Sequence, residues 1–191
     1  MSKIGLYGGT FDPIHNGHLI TVQTVFEKRG LDKVVFIPCH ISPHKTSVLS
    51  SPPESRLEML KLALKDFENF TYSDFEIEQG NISYSLNTIV EFNKQYKDIE
   101  LIIGFDNLVV FDKWYKPDEI LKYCELIVMK RTVDTYPDNP NKYFEKAEFV
   151  ETPLIEISST GIRERIRKGL PITSQVPQQV EQYIHDHKLY L

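Results

Sequence analysis

The stretch Ile4-Gly5-Leu6-Tyr7-Gly8-Gly9-Thr10-Phe11-Asp12-Pro13-Ile14-His15-Asn16-Gly17-His18 passes from a compact apolar run, through paired glycines, into a helical pattern. Ile4–Tyr7 reads as a buried strand, and Leu19, Val22 and Phe26 at i, i+3, i+7 read as the inner face of a helix. A strand that feeds a helix through such a turn opens a strand–helix–strand unit. Its loop lies where these sheets bind ligands, beyond strand C-termini and at helix N-termini. Gly8 and Gly9 permit close backbone approach and unusual dihedrals. The helix entry offers unpaired N–H groups and partial positive charge suited to phosphate. His15 and His18, three apart, share a face of the entering turn and aim ring N–H donors at one anion.

Two blander readings compete. One is a glycine turn with incidental histidines, but four of the six histidines (15, 18, 40 and 44) fall at the expected ends of the first two strands. The other is a metal site, which ranks lower because no Cys or further carboxylate cluster nearby has ligand spacing. Neither G-x-G-x-x-G nor Walker A is present, since Gly17 is followed by His18-Leu19.

Outward from this loop, Val34–Pro38, Leu101–Gly104 and Leu126–Met129 read as further buried strands. Between them, Leu57, Leu60 and Leu64, and then Ile89, Phe92 and Tyr96, repeat the helical spacing. Ser51-Pro52-Pro53-Glu54 reads as a helix entry, with Ser51 as cap, Pro52 as first helical position and Glu54 as capping-box partner. A last helical segment, Pro177 to His187, sets Val180, Ile184 and His187 on one face. The alternation implies an α/β fold: a doubly wound, Rossmann-like parallel sheet with helices on both faces. Residues 1–191 are expected to form one domain. Thr132–Glu145, with Pro137, Asn139, Pro140 and Asn141, is the segment most expected to move, and the only place where a boundary would be considered.

The 191 residues carry 22 Lys+Arg against 27 Asp+Glu, a formal charge of −5, which argues against a grip on nucleic acid. The imbalance is local. Asp66–Glu78 holds five acids and no base, whereas Ser158–Lys168 holds four bases and one acid. Cys39 and Cys124 lie far apart and outside any C-x-x-C, and free thiols fit a reducing cytosol. The N-terminus has no signal-peptide pattern, and runs such as Leu108–Phe111 are too short to span a bilayer. The expectation is a cytoplasmic protein with neither nucleic-acid nor membrane partners; monomer and homo-oligomer both stay open.

The basic segment begins Ile157-Ser158-Ser159-Thr160-Gly161-Ile162-Arg163. Three hydroxyl residues before a helix suit capping. Arg163 near that helix start opposes the macrodipole, and a bound anion would offset the conflict, so a phosphate site is favoured over a solvated basic face.

Gly8–His18 resembles G-G-[TS]-F-[DN]-P-[IV]-H-x-G-H, the signature of the H-x-G-H nucleotidyltransferases, and Ile157–Arg163 resembles their I-S-S-[TS]-x-I-R. Class I aminoacyl-tRNA synthetases share the first element but are far longer and carry a K-M-S-K-S loop, which this chain lacks. Within the superfamily the chain is similar to the nicotinate-nucleotide adenylyltransferases, from Ile4 to about Arg167.

The resemblance implies adenylyl transfer from ATP to nicotinate mononucleotide, with Mg²⁺ accompanying ATP and no metal held by the protein. It assigns His15, His18, Lys45 and Arg163 to catalysis. Gly8, Gly9, Thr10, Phe11, His44, Ser159 and Thr160 would bind ATP and its phosphates, and the segment from about 158 to 191 would complete that site. His44 and Lys45 lie in Ser42-Pro43-His44-Lys45, similar to the family's S-P-x-K loop; Arg56, which follows, reads as a helix-surface arginine on which the site does not depend.

Ser83-Tyr84-Ser85-Leu86-Asn87-Thr88 is similar to S-Y-T-x-D-T, with Ser85 for Thr and Asn87 for Asp. Ser85, Asp106 of a G-x-D element, Trp114 and Tyr115 would bind the mononucleotide. Trp114 would stack on the pyridinium ring, the Ser85 and Tyr115 backbone N–H groups would hold its carboxylate, and Asp106 would accept ribose hydroxyls. The competing readings are another phosphorylated acceptor, such as nicotinamide mononucleotide or phosphopantetheine, and a non-catalytic nucleotide sensor. The presence together of Thr10, His15, His18, Lys45 and Arg163 argues against the sensor.

Overall fold

A computed structural model of the chain describes residues 2–43 and 50–191. Six strands, β1 (Lys3–Gly9), β2 (Lys33–Pro38), β3 (Phe70–Tyr72), β4 (Asp98–Gly104), β5 (Glu125–Lys130) and β6 (Ala147–Glu151), pair in the order β3-β2-β1-β4-β5-β6. All the pairings are parallel. The chain runs outward from β1 to one side and then returns to start the other half at β4. The β1/β4 boundary is therefore the topological switch point, where a doubly wound sheet leaves a crevice beyond its strand C-termini.

The two faces of the sheet carry separate cores. Alternation along the strands sends Tyr7, Val34, Phe36, Ile102 and Ile127 to one face. Ile4, Leu6, Val35, Leu101 and Val128 go to the other. On the first face lie α1 (Asn16–Arg29), α2 (Pro53–Leu64), α7 (Ser159–Arg167) and α8 (Gln178–Asp186), which bury Val22, Leu60, Ile162 and Ile184. On the second lie α4 (Ser85–Phe92), α5 (Phe105–Val109) and α6 (Pro117–Ile120), which bury Ile89, Leu108 and Ile120. A short helix, α3 (Phe75–Gln79), leads towards α4.

Several local expectations change. The second helix begins at Pro53, with Pro52 as its cap residue and no side-chain cap bond; the Ser51 N–H instead donates to Asp12 Oδ2 at 3.2 Å. Its buried face runs through Arg56, Met59, Leu60, Ala63 and Leu64, whereas Leu57 is only half-buried. Tyr96 lies beyond the end of α4. His187 is exposed at the end of α8, stacked on Tyr183 at 3.9 Å, so only Val180 and Ile184 face the core.

Two strands escape the sequence reading because both are edges. β3 has only three residues, and β6 is interrupted by the exposed Glu148 and ends on the exposed Glu151 around the single fully buried Val150. Thr132–Glu145 is a crossover between the neighbouring strands β5 and β6, with a 3₁₀ turn at Lys142–Glu145.

Candidate active site

A cleft of about 1060 Å³ opens over the C-terminal ends of β1, β4 and β5, against the N-termini of α1 and α7. Gly8, Gly9, Thr10, Phe11, His15, His18, Asp106, Trp114, Ser159, Thr160 and Arg163 all line it. Ser85 and Tyr115 stand outside that lining. They neighbour one another only through Tyr84, directly before Ser85, whose ring lies 4.6 Å from that of Tyr115, the residue after Trp114. His44 and Lys45 lie outside the described residues, between Ser42 and Ser50, which both border the cleft.

His15 and His18 meet through a reciprocal cap at the start of α1. The His18 N–H donates to His15 Nδ1, and the His15 N–H donates to His18 Nδ1, each at 3.3 Å. The rings stack with centroids 3.6 Å apart and planes 19° apart. An Nδ1 that accepts from the backbone leaves the proton of a neutral ring on Nε2, so each neutral ring is an Nε2–H donor. Burial pushes the His15 pKa down to about 4, so this imidazole is neutral at pH 7. Gly17 keeps room for the pair, because a Cβ there would lie 3.0 Å from His15 Nδ1.

The glycine loop solves its geometry unexpectedly. The residue with positive φ is Phe11, at 49°, and neither Gly8 nor Gly9 has one. The Phe11 ring folds over Gly9, where a Cβ would meet it at 2.8 Å, and packs edge-on against His18 and Tyr7. Phe11 thus supports the histidines with its ring and turns its backbone to the cleft. On the β4 side, Asp106 Oδ1 folds back to within 2.5 Å of where a Gly104 Cβ would sit, which explains the glycine of G-x-D.

The two sequence clusters are bonded to each other. Ser158 caps α7 by accepting from the Gly161 N–H at 3.1 Å. Ser159 Oγ donates to Pro13 O at 3.0 Å, and Arg163 Nη1 donates to Asp12 O at 2.7 Å. Arg163 Nη2 also reaches Thr160 Oγ1 at 3.2 Å. A guanidinium is thereby held at the N-terminus of α7, facing the cleft. Arg165 is used elsewhere, closing the helix end on Pro171 O.

Arg56, expected on the helix surface, and two residues that the sequence did not single out, Arg131 and Tyr190, organise this site. Arg56 is 0 % exposed, and its guanidinium binds Thr10 O at 2.7 Å, Ser51 O at 3.1 Å and His40 O at 3.2 Å. Arg131 lines the cleft beyond β5, pinned by Asp134 at 2.8 Å; its place directly after a strand was the available signal. The Tyr190 hydroxyl, at the chain's far end, donates to Asp12 Oδ1 at 2.7 Å.

Both oxygens of Asp12 are therefore engaged within the protein. Among the described residues no three His, Cys, Asp or Glu side chains converge as a cation site. None of the described helices is long and apolar enough to cross a membrane.

The cytidylyltransferase-like family model matches residues 6–165, which include both histidines and Arg163. The chain is 37% identical over 192 residues to nicotinate-nucleotide adenylyltransferase of Bacillus subtilis, covering 100% of this chain and 99% of that protein. It is 39% identical over 196 residues to a probable nicotinate-nucleotide adenylyltransferase of Methylacidiphilum infernorum, covering 99% of this chain and 92% of the relative. The structure of Plasmodium falciparum nicotinic acid mononucleotide adenylyltransferase complexed with NaAD shares the fold, with a TM-score of 0.79 at 18% identity over 100% of this chain and 98% of that one. A paired-histidine cleft at the switch point of a doubly wound sheet, in a chain alike over its whole length to these relatives, makes this protein a member of the nicotinate-nucleotide adenylyltransferase family.

Proposed function

We propose that the cleft transfers the adenylyl group of ATP to the 5′-phosphate of nicotinate mononucleotide, giving nicotinate adenine dinucleotide and pyrophosphate. The observation that carries this reading is the reciprocally capped histidine pair lining one cleft with Arg163. The full-length relatives named for this acceptor support it.

In the reaction a phosphate oxygen of the mononucleotide forms a bond to the α-phosphorus of ATP. The bond from that phosphorus to the bridging oxygen breaks, and pyrophosphate leaves with the electron pair. The nucleophile is already ionised at pH 7, so no residue has to remove a proton. Catalysis rests on positioning and on donors aimed at the oxygens where charge gathers. His15 and His18 donate from Nε2 to the transferring phosphoryl oxygens. Thr10 and the Gly8–Phe11 backbone hold phosphate, and Ser159, Thr160 and Arg163 hold the triphosphate from α7. His44 and Lys45 are assigned to the same triphosphate on the strength of their motif.

On the acceptor side, Trp114 stacks on the pyridinium ring, where an indole face attracts a planar cation. The Ser85 and Tyr115 N–H groups bind its carboxylate, and Asp106 accepts from ribose hydroxyls. Mg²⁺ is expected to enter on the phosphates of ATP and to neutralise part of their charge. The chain is read as one cytoplasmic domain in which α7 and α8 complete the ATP side.

Pyrophosphate release from ATP, measured with nicotinate mononucleotide, nicotinamide mononucleotide and 4′-phosphopantetheine in turn, tests the reading. Fastest turnover with the nicotinate acceptor is expected. A preference for either other acceptor would replace it, and no release with any would make the protein a nucleotide sensor.

A further inference from the structure

Beneath the acceptor side of the cleft, a row of hydrogen bonds joins segments that lie far apart in sequence. Arg56 bridges Thr10 O and His40 O. The His40 N–H donates to Ser83 Oγ at 2.9 Å, and the Ser83 N–H donates to Ile41 O at 3.0 Å. Ile41 and Ile82 add an isolated parallel bridge beyond the end of the sheet. On the other side of Ser83 stands the buried Glu76 of α3, near enough for the Ser83 hydroxyl to favour its carboxylate. Glu76 Oε1 also accepts from Thr88 Oγ1 at 2.6 Å, in the first turn of α4.

Ser85, the first residue of α4, lies between these anchors, two residues after Ser83 and three before Thr88. Its backbone can move only if the anchors yield. Burial raises the Glu76 pKa, and the two hydroxyls are the groups that offset it. Removing the Ser83 hydroxyl leaves the His40 N–H without its acceptor, and removing the Glu76 carboxylate leaves the buried Thr88 hydroxyl without its own, so the segment has to shift to recover a partner. The ATP side has its own fastenings, from Ser159 to Pro13 and from Arg163 to Asp12.

We propose that Ser83 and Glu76 are positioning residues for the acceptor: they fix the entry of α4, and with it the Ser85 N–H, against the end of β2. The inference rests on the functional reading above. A small misplacement of a binding N–H weakens capture of the substrate that it orients and leaves the other substrate's binding intact.

The test is steady-state kinetics on the full chain with ATP and nicotinate mononucleotide, for wild type, Ser83→Ala, Glu76→Ala and Glu76→Gln, with unfolding midpoints alongside. Ser83→Ala and Glu76→Ala should raise the mononucleotide KM about tenfold and leave the ATP KM within about twofold. Glu76→Gln, whose amide oxygen still accepts from Thr88, should recover most of the loss. Should Glu76→Ala not fold, Ser83→Ala, which deletes one oxygen from a half-buried residue, decides the question. Equal rises in both KM values, or an unchanged mononucleotide KM in Ser83→Ala, would overturn the inference alone. Wild-type protein that does not adenylylate the mononucleotide would overturn the functional reading, and the inference with it.

Discussion

His15 is a cleft residue whose ring also caps a helix. Its ring caps α1 through Nδ1 and keeps a proton on Nε2, and burial holds it neutral down to about pH 4. The unfolded chain takes up a proton at this residue as pH falls through about 6.5, whereas the folded chain does so only near 4. Between those values the unfolded state binds more protons. This contribution to stability is therefore complete above pH 6.5 and is lost as pH falls towards 4, by up to about 3 kcal/mol. Urea unfolding at pH 7.5 and pH 5 should show a steeper acid loss for wild type than for His15→Asn; equal slopes would contradict the assignment. Trp114→Ala, by contrast, should raise the mononucleotide KM by about tenfold or more and change the ATP KM little, because the indole lines only one part of the cleft. Equal effects on both substrates would break that role. The meeting of the Gly8–His18 and Ile157–Arg163 segments at one cleft was legible, because residue type and spacing within one turn carry it. The support that Phe11 and Gly104 give to neighbouring side chains was not, because it depends on where rings and carboxylates fold back in space.

At the scale of elements, the strands after which ligand loops emerge could be read from sequence, since central parallel strands are unbroken apolar runs. The edge strands, one only three residues long and the other interrupted by exposed glutamates, could not. Nor could the role of Arg56, because α2 presents its guanidinium inward to three carbonyls drawn from separate loops. A sequence with Arg at the start of a helix gives no sign of that orientation. Arg56→Leu leaves these carbonyls without their donor and should lower the unfolding free energy by about 3 kcal/mol or more, read by urea denaturation. Arg56→Lys should recover only part, since an ammonium lacks the planar fork. Full stability in Arg56→Leu would show that the loops are held by other bonds.

Across the whole molecule, charge is divided between the two ends of the sheet. The cleft at the strand C-termini presents histidines and Arg163, while at the opposite end Glu100, 0 % exposed, is held by Arg29 and Lys3, each at 2.7 Å. Arg29 also pairs with Glu125 and Glu148, tying α1 to β4, β5 and β6. Arg29→Met should destabilise the fold by about 2 kcal/mol, at the low side for a buried pair because Lys3 remains, and leave turnover unchanged. A loss of turnover in the folded variant would mean that the two ends are coupled. The overall charge of −5 hid this division, and the segment after the last helix brings Tyr190 back to Asp12 beneath the cleft.

The central claim is that the paired histidines drive adenylyl transfer to a mononucleotide phosphate. Conversion of α-labelled ATP and nicotinate mononucleotide, compared in wild type and His18→Ala, tests it most directly. Wild type should put the label into the dinucleotide in step with pyrophosphate release, and a fully folded His18→Ala should do so at least about 100-fold more slowly. Label appearing as AMP in wild type, or undiminished turnover in His18→Ala, would contradict the claim.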